Sequence, residues 1–152
     1  MHVREMSNES TDTELIDWEK LQHQAVTGDP VWRLLCYRES MFLLEQVRED
    51  MKAFEHSSVH APSMGQLLRA TGSISANIAE GYGRPTTADR VRFLSYALGS
   101  ARESISWYQA LRPSIEHVAT DSRLTRIARI RRLLIGLLSR LRTKTGRKFD
   151  SW

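Results

Sequence analysis

The most constraining feature of this sequence is the spacing of its apolar residues, which recur every three or four positions over two long stretches. In the first stretch these positions are Val91, Leu94, Leu98, Ala101, Ile105 and Tyr108. In the second they are Leu124, Ile127, Ile130, Leu134, Leu137 and Leu141. Residues spaced in this way share one face of an α-helix. The pattern predicts two long amphipathic helices, each of which must bury its apolar face against another element.

Local signals place the other helices. Asp29 is a good N-cap residue and Pro30 suits a first helical position, so a helix is predicted from about Pro30 to Glu55. A second helix is predicted from about Ser63 to Gly81, and a third begins at Thr86, where Asp89 completes a capping-box arrangement. No segment alternates with period two over the length of a strand. We expect an all-α fold, namely an antiparallel up-down-up-down four-helix bundle with a short N-terminal extension.

The chain has the length of one ordinary domain. We expect residues 1–29 to be an N-terminal extension with at most a short helix, residues 30–142 to be the bundle, and residues 143–152 to be a basic tail. The lone cysteine, Cys36, is expected to be a small buried hydrophobic residue. No apolar run is long enough for a membrane span and no secretory signal opens the sequence, so we expect a cytoplasmic protein.

Charge is unevenly distributed along the chain. Residues 1–56 hold twelve Asp and Glu against six Lys and Arg, whereas residues 122–148 hold ten Lys and Arg and no acid. Arginine holds phosphate in a bidentate fork, so we predict a nucleic-acid-binding surface on the fourth helix. Its central stripe, on the side away from the apolar seam, is Arg126, Arg129, Arg132 and Arg140. The other residues predicted to bind nucleic acid are Arg131, Arg142, Lys144, Arg147, Lys148, Arg84, Arg90 and Arg92.

This basic helix also has three interpretations other than nucleic-acid binding. They are contact with acidic residues of the first helix in a neighbouring subunit, contact with an acidic protein, and exposure to solvent alone. The alternative function is therefore a structural or adaptor oligomer whose basic surface binds an acidic protein.

The second helix carries two faces that call for burial. One is apolar, and the other consists only of the small residues Gly72, Ala76, Ala79 and Gly83, which allow another helix to approach closely. One bundle core cannot cover both faces, so the pattern predicts a homo-oligomer. Ser73, Asn77 and Glu80 form a polar seam between the faces, which we interpret as a hydrogen-bond network that fixes helix register.

The sequence offers little basis for catalysis, a cofactor or a metal site. Glu80 has no nucleophile or metal ligand near it in sequence, and His56 and His60 lack a third ligand. Gly81 and Gly83 follow a helix, whereas a phosphate-binding glycine loop follows a strand. We expect a protein that is not an enzyme.

Residues 73–84, SISANIAEGYGR, and residues 92–104, RFLSYALGSARES, resemble the signature of a family of bacterial four-helix bundle proteins. That family includes proteins encoded by intervening sequences in large-subunit ribosomal RNA genes and, more distantly, the accessory variability proteins of diversity-generating retroelements. The positions that match are Ser73, Asn77, Ile78, Ala79, Glu80, Gly81, Gly83 and Arg84 in the first motif, and Phe93, Leu94, Gly99, Ser100 and Glu103 in the second.

The resemblance implies a four-helix bundle without catalytic residues. In retroelement members the bundle forms a basic homopentamer that binds a reverse transcriptase and nucleic acid. The expected function is thus that of a non-catalytic, homo-oligomeric accessory protein that binds RNA or DNA, with a reverse transcriptase as a further partner implied by the resemblance. The long extension before Pro30 departs from the family's pattern.

Overall fold

The computed structural model describes residues 12–54, 56–115 and 117–143, and all regular secondary structure within these ranges is helical. The all-α prediction is therefore confirmed for this part of the chain. Its elements are α1 (residues 12–20), α2 (Gln24–Thr27), a 3-10 helix (Pro30–Arg33), α3 (Leu35–Lys52), α4 (Ala61–Tyr82), α5 (Thr87–Leu111) and α6 (His117–Thr143).

The first predicted long helix is interrupted near its start. Asp29 accepts a hydrogen bond from the Val31 amide at 2.9 Å, but the turn that follows is a 3-10 helix. Leu34 then adopts an extended conformation, with φ −80° and ψ 113°, before α3 begins. The predicted start of an unbroken helix at Pro30 is therefore wrong. The signals at Asp29 and Pro30 mark a single turn that leads into α3.

The boundaries of the other long helices follow their terminal residues. Thr86 caps α5 by accepting a hydrogen bond from the Asp89 amide at 3.1 Å, and its hydroxyl donates to the Asp89 carboxylate at 2.7 Å. The predicted capping arrangement is confirmed. Helix α4 starts two residues before the predicted Ser63, because Pro62 is well suited to its first turn.

The four long helices surround one core. Helix α3 packs against α4 and α6, and α5 packs against the same two helices. Leu43, Ile74, Ala97 and Ile130 are fully buried, one from each of these helices. The close approach of α4 to α5 depends on Gly81, where a Cβ atom would lie 3.1 Å from the Cβ of Phe93.

The ends of the helices meet in two groups. At one end, His60 beside the start of α4 lies 2.9 Å from the Ser114 hydroxyl, just beyond α5. At the other end, Leu34, Tyr82, Arg90 and Leu141 line one groove of about 280 Å³. We call it the leucine groove. It lies where α3 and α5 begin and α4 and α6 end.

None of the helices described is both long enough and apolar enough to cross a membrane.

Candidate nucleic-acid interface

The first arginine of the predicted stripe, Arg126, is fully buried. Its guanidinium forms an ion pair with Glu39, which is also fully buried, and its Nε donates to Gln46 Oε1 at 3.0 Å. It also lies over the Phe42 ring, 4.4 Å from the ring centroid. Burial lowers the pKa of Arg126, and the adjacent Glu39 carboxylate opposes that shift. The prediction that Arg126 lies on an exposed face is wrong, because Arg126 fills a polar cavity against α3.

The Arg129 guanidinium also has ion-pair partners within the chain. Its Nε lies 2.9 Å from Glu39 Oε1, and its Nη1 forms an ion pair with Asp12 of α1. Its side chain is only 21% exposed. Glu14 adds a second carboxylate from α1, 3.7 Å from Arg126. These acids of α1 and α3 neutralise two of the four stripe arginines, whereas the sequence led us to expect phosphate there.

A second ion pair ties the start of α6 to the end of α3. Arg123 donates to both carboxylate oxygens of Asp50, at 3.0 and 3.1 Å, and the Tyr108 hydroxyl donates to the same carboxylate at 2.8 Å. Burial and the neighbouring Asp50 charge raise the pKa of Tyr108 well above its usual range. In the first half of α6, Arg123, Arg126 and Arg129 are therefore all paired with carboxylates of the chain.

Helix α1 covers the α3–α6 seam from outside. Leu15 and Trp18 are buried, and Trp18 Nε1 donates to Glu45 Oε2 at 2.6 Å. The Trp18 ring packs against Trp32 and Phe42, with centroid distances of 5.8 and 5.3 Å. The sequence predicted at most a short helix in this extension, and it did not indicate that carboxylates of such a helix would bind α6.

The second half of α6 is different, because Arg132 and Arg140 are exposed. Together with the exposed Arg33 they line a groove of about 330 Å³ between the start of α3 and α6. We call this the arginine groove; its remaining lining residues are Leu34, Leu35, Cys36, Leu133, Gly136 and Leu137. No carboxylate of the described residues forms an ion pair with Arg33, Arg132 or Arg140. The groove therefore carries three positive charges that the described part of the chain leaves uncompensated.

Cys36 is buried beside this groove, as the sequence predicted. Burial raises the pKa of its thiol to about 11, so the sulfur stays protonated and unreactive at neutral pH. It serves as part of the apolar floor.

The other predicted arginines are distributed around the same end of the molecule. Arg84 pairs with Glu80, Arg92 lies 2.9 Å from Asp89, and both guanidiniums pack over the Phe93 ring. Arg90 donates to the Arg84 carbonyl at 2.6 Å and lines the leucine groove. Because the two grooves share Leu34 and Leu137, Arg90 extends the same cationic region.

Arg131 and Arg142, two further predicted residues, do not line either groove. Arg131 is half-buried, and its Nε has no hydrogen-bond partner among the described residues. Arg142 is also half-buried. Lys144, Arg147 and Lys148 lie outside the described residues.

The small-residue face of α4 is partly open. Ala76 and Gly83 are exposed, whereas Gly72 and Ala79 are half-buried. Beside this face, the Asn77 amide donates to the Ser73 carbonyl at 2.8 Å and to its hydroxyl at 2.9 Å.

The polar seam also reaches α5. The Ser100 hydroxyl donates to that of Ser73 at 2.9 Å. Ser73 thus links α4 to α5, and Asn77 bonds to Ser73 within α4. Glu80 is exposed and lies outside this network.

The two histidines His56 and His60 have different surroundings. His56 is exposed, whereas His60 bonds to the hydroxyls of Ser57 and Ser114. Among the described residues, no three His, Cys, Asp or Glu side chains converge as metal ligands.

These features define an all-helical protein with a cationic groove at one end. A family model for the 23S rRNA-intervening sequence protein matches residues 33–136, which is more than half of the chain. The chain belongs to this family, as the two sequence motifs predicted.

A solved bacterial structure supports the assignment. It is a protein of unknown function from the S23 ribosomal protein family of Bacteroides thetaiotaomicron, with 25% sequence identity and a TM-score of 0.64. The match covers 68% of this chain and 98% of the other. No curated protein matches the sequence.

Proposed function

We propose that this protein is a non-catalytic, homo-oligomeric accessory protein that binds nucleic acid through the arginine groove and the adjacent Arg90. The observation that carries this proposal is the contrast within α6. Arg123, Arg126 and Arg129 are paired with carboxylates, whereas Arg132 and Arg140 face the groove beside Arg33 without such partners among the described residues. Unpaired arginines that converge on a groove are suited to phosphate oxygens. The family's association with a ribosomal RNA intervening sequence makes RNA the first probe.

The proposed architecture is the antiparallel up-down-up-down four-helix bundle. Contacts between neighbouring helices support it: Ser73 of α4 bonds to Ser100 of α5, and Gly81 near the end of α4 meets Phe93 near the start of α5. Likewise, Asp50 near the end of α3 pairs with Arg123 near the start of α6, while Glu39 pairs farther along with Arg129. In each of these two helix pairs, contacts farther along one helix lie earlier along the other, as expected for antiparallel neighbours.

Self-association is the second part of the proposal. The exposed Ala76 and Gly83 offer a surface without long side chains, against which a helix of a second copy packs closely. The expected number of five subunits and the reverse transcriptase partner rest only on the resemblance to retroelement proteins.

The test compares a variant that lacks the three groove arginines with a control that lacks two arginines at the other end of the molecule. The triple substitution Arg33→Gln, Arg132→Gln and Arg140→Gln removes the groove cations while keeping good helix formers in α6. Each phosphate contact contributes about −0.7 to −0.9 to the slope of log affinity against log salt. We expect filter binding of labelled RNA to weaken and the slope to become shallower by about 2.

The control removes Arg48 and Arg112, exposed or half-exposed arginines at the other end of the molecule. The variant Arg48→Gln with Arg112→Gln should bind RNA almost as the parent does. Equal weakening in both variants would indicate non-specific charge attraction. Absence of RNA and DNA binding by the parent at about 50 mM salt, where such contacts are strong, would overturn the proposal.

An adaptor function has one observation in its favour. Helix α1 shows that an acidic helix with apolar anchors docks on arginines of α6, through Asp12, Leu15 and Trp18. A partner protein with a similar helix would bind the arginine groove. If the groove triple variant kept RNA affinity but lost capture of an acidic helical peptide, this second function would replace the first.

A further inference from the structure

The arginine groove has a floor that a phosphate-binding surface does not need. Leu34, Leu133 and Leu137 are half-buried in it, and the buried Cys36 thiol is neutral. The three arginines are therefore arranged around an apolar depression rather than along a flat polar face. Such a site suits a ligand with both a flat apolar part and negative charge.

Gly136 keeps the groove open. A Cβ atom added at this position would meet no atom within 4 Å, and Gly136 lies between Arg132 and Arg140 on α6. Glycine lowers helix stability by about 1 kcal/mol relative to alanine, so local helix formation does not favour it here. Its effect is to leave space beside Leu133 and Leu137.

The spacing of the charges suits a polymer. Arg132 and Arg140 are eight residues apart, which corresponds to about 12 Å along a helix. Arg33 lies across the groove on the other wall. A planar group on the leucine floor would thus have guanidiniums on both sides, where the phosphates that precede and follow a nucleotide would lie.

We propose that the arginine groove binds one unstacked nucleotide of a single-stranded nucleic acid, with the base on the leucine floor and its flanking phosphates on Arg33, Arg132 and Arg140. This inference rests on the proposed function and names its ligand class. A duplex keeps its bases stacked and paired, so it offers the groove only phosphates. Single strands expose base faces, which gain affinity from apolar and arginine contacts.

The experiment fills the groove without changing its charge. Gly136→Leu places a side chain where the base would lie, and Gly136→Ala controls for the gain in helix propensity. Ala128→Leu places the same side chain at an exposed position of α6 outside the groove lining. The probes are oligouridylate of about 12 nucleotides, an RNA duplex of equal length, and inorganic polyphosphate, which has charge but no bases.

The parent should bind oligouridylate more tightly than polyphosphate at equal salt. Gly136→Leu should weaken oligouridylate binding about tenfold, the loss expected for one base contact, while polyphosphate affinity stays the same. Gly136→Ala and Ala128→Leu should retain most of the parent's single-strand preference. Circular dichroism and thermal melting would establish that all variants fold.

The outcomes separate this inference from the function on which it rests. If all three probes bind equally and Gly136→Leu changes none of them, the groove binds phosphate alone and the base-binding inference is wrong. A preference for duplex would also overturn it. If the parent binds no probe, the proposed function itself fails and the inference fails with it.

Discussion

Two fully buried side chains of opposite charge, Glu39 and Arg126, join α3 to α6. Removing charges from water is costly, and the pair is tolerated because several groups share the compensation. Gln46 accepts from Arg126, Phe42 lies under its guanidinium, and Arg129 takes the other oxygen of Glu39. The carboxylate of Glu39 therefore pairs with two arginines, one at each oxygen. This makes Glu39 the residue on which the seam depends most.

Glu39→Gln should destabilise the protein by about 3–5 kcal/mol, because it leaves Arg126 buried without its principal counter-charge. Urea unfolding monitored by circular dichroism would measure the change, as a lower midpoint at an unchanged m-value. The double variant Glu39→Leu with Arg126→Met removes both charges and should recover much of the loss. A single variant as stable as the parent would show that the pair is not buried in solution.

At the scale of elements, α1 is the least expected part of the molecule. It lies before the segment that matches the family model, which begins at residue 33. Its acids reach three arginines, because Glu19 also lies 3.1 Å from Arg38 of α3. Helix α1 therefore lies outside the matched segment and covers an aromatic and charged seam between α3 and α6.

Trp18→Ala should release α1 from the body of the protein. It removes the hydrogen bond to Glu45 and the ring contacts with Trp32 and Phe42, at a cost of about 3 kcal/mol or more. Hydrogen exchange by mass spectrometry should show faster exchange across residues 12–20. The control is Leu21→Ala, because Leu21 is 83% exposed. Equal exchange in the two variants would contradict docking through Trp18.

The sequence predicted local elements better than the faces they present. The Thr86 cap depends on residues three positions apart and was correctly identified. Arg126 was misplaced because its partners, Glu39 and Gln46, are 87 and 80 positions away. Arg126 also precedes Ile130 by one turn, so it lies on the inward side of α6. A helical pattern identifies this direction, but only the tertiary partners reveal that a charge is accommodated there.

At the scale of the whole molecule, the proposed oligomerisation and the proposed nucleic-acid binding would reinforce each other. Several copies of the arginine groove on one assembly would engage one polymer chain together, which raises avidity without any new contact. A short oligonucleotide that fills one groove gains nothing from the other copies. Binding to long RNA should therefore depend on assembly far more than binding to short RNA does.

Ala76→Arg tests this dependence, because it places a bulky charge on the exposed small face of α4, away from the groove lining. Light scattering should show dissociation toward the mass of one chain, 17.5 kDa, with helix content retained. Affinity for long RNA should fall at least tenfold, while affinity for an oligonucleotide of about 12 nucleotides stays near that of the parent. Ala110→Arg, an exposed substitution on α5, should alter neither mass nor binding. If Ala76→Arg leaves the assembly intact, the small face is not the interface between subunits. If Ala76→Arg dissociates the assembly but long RNA binds with unchanged affinity, one groove alone accounts for that affinity.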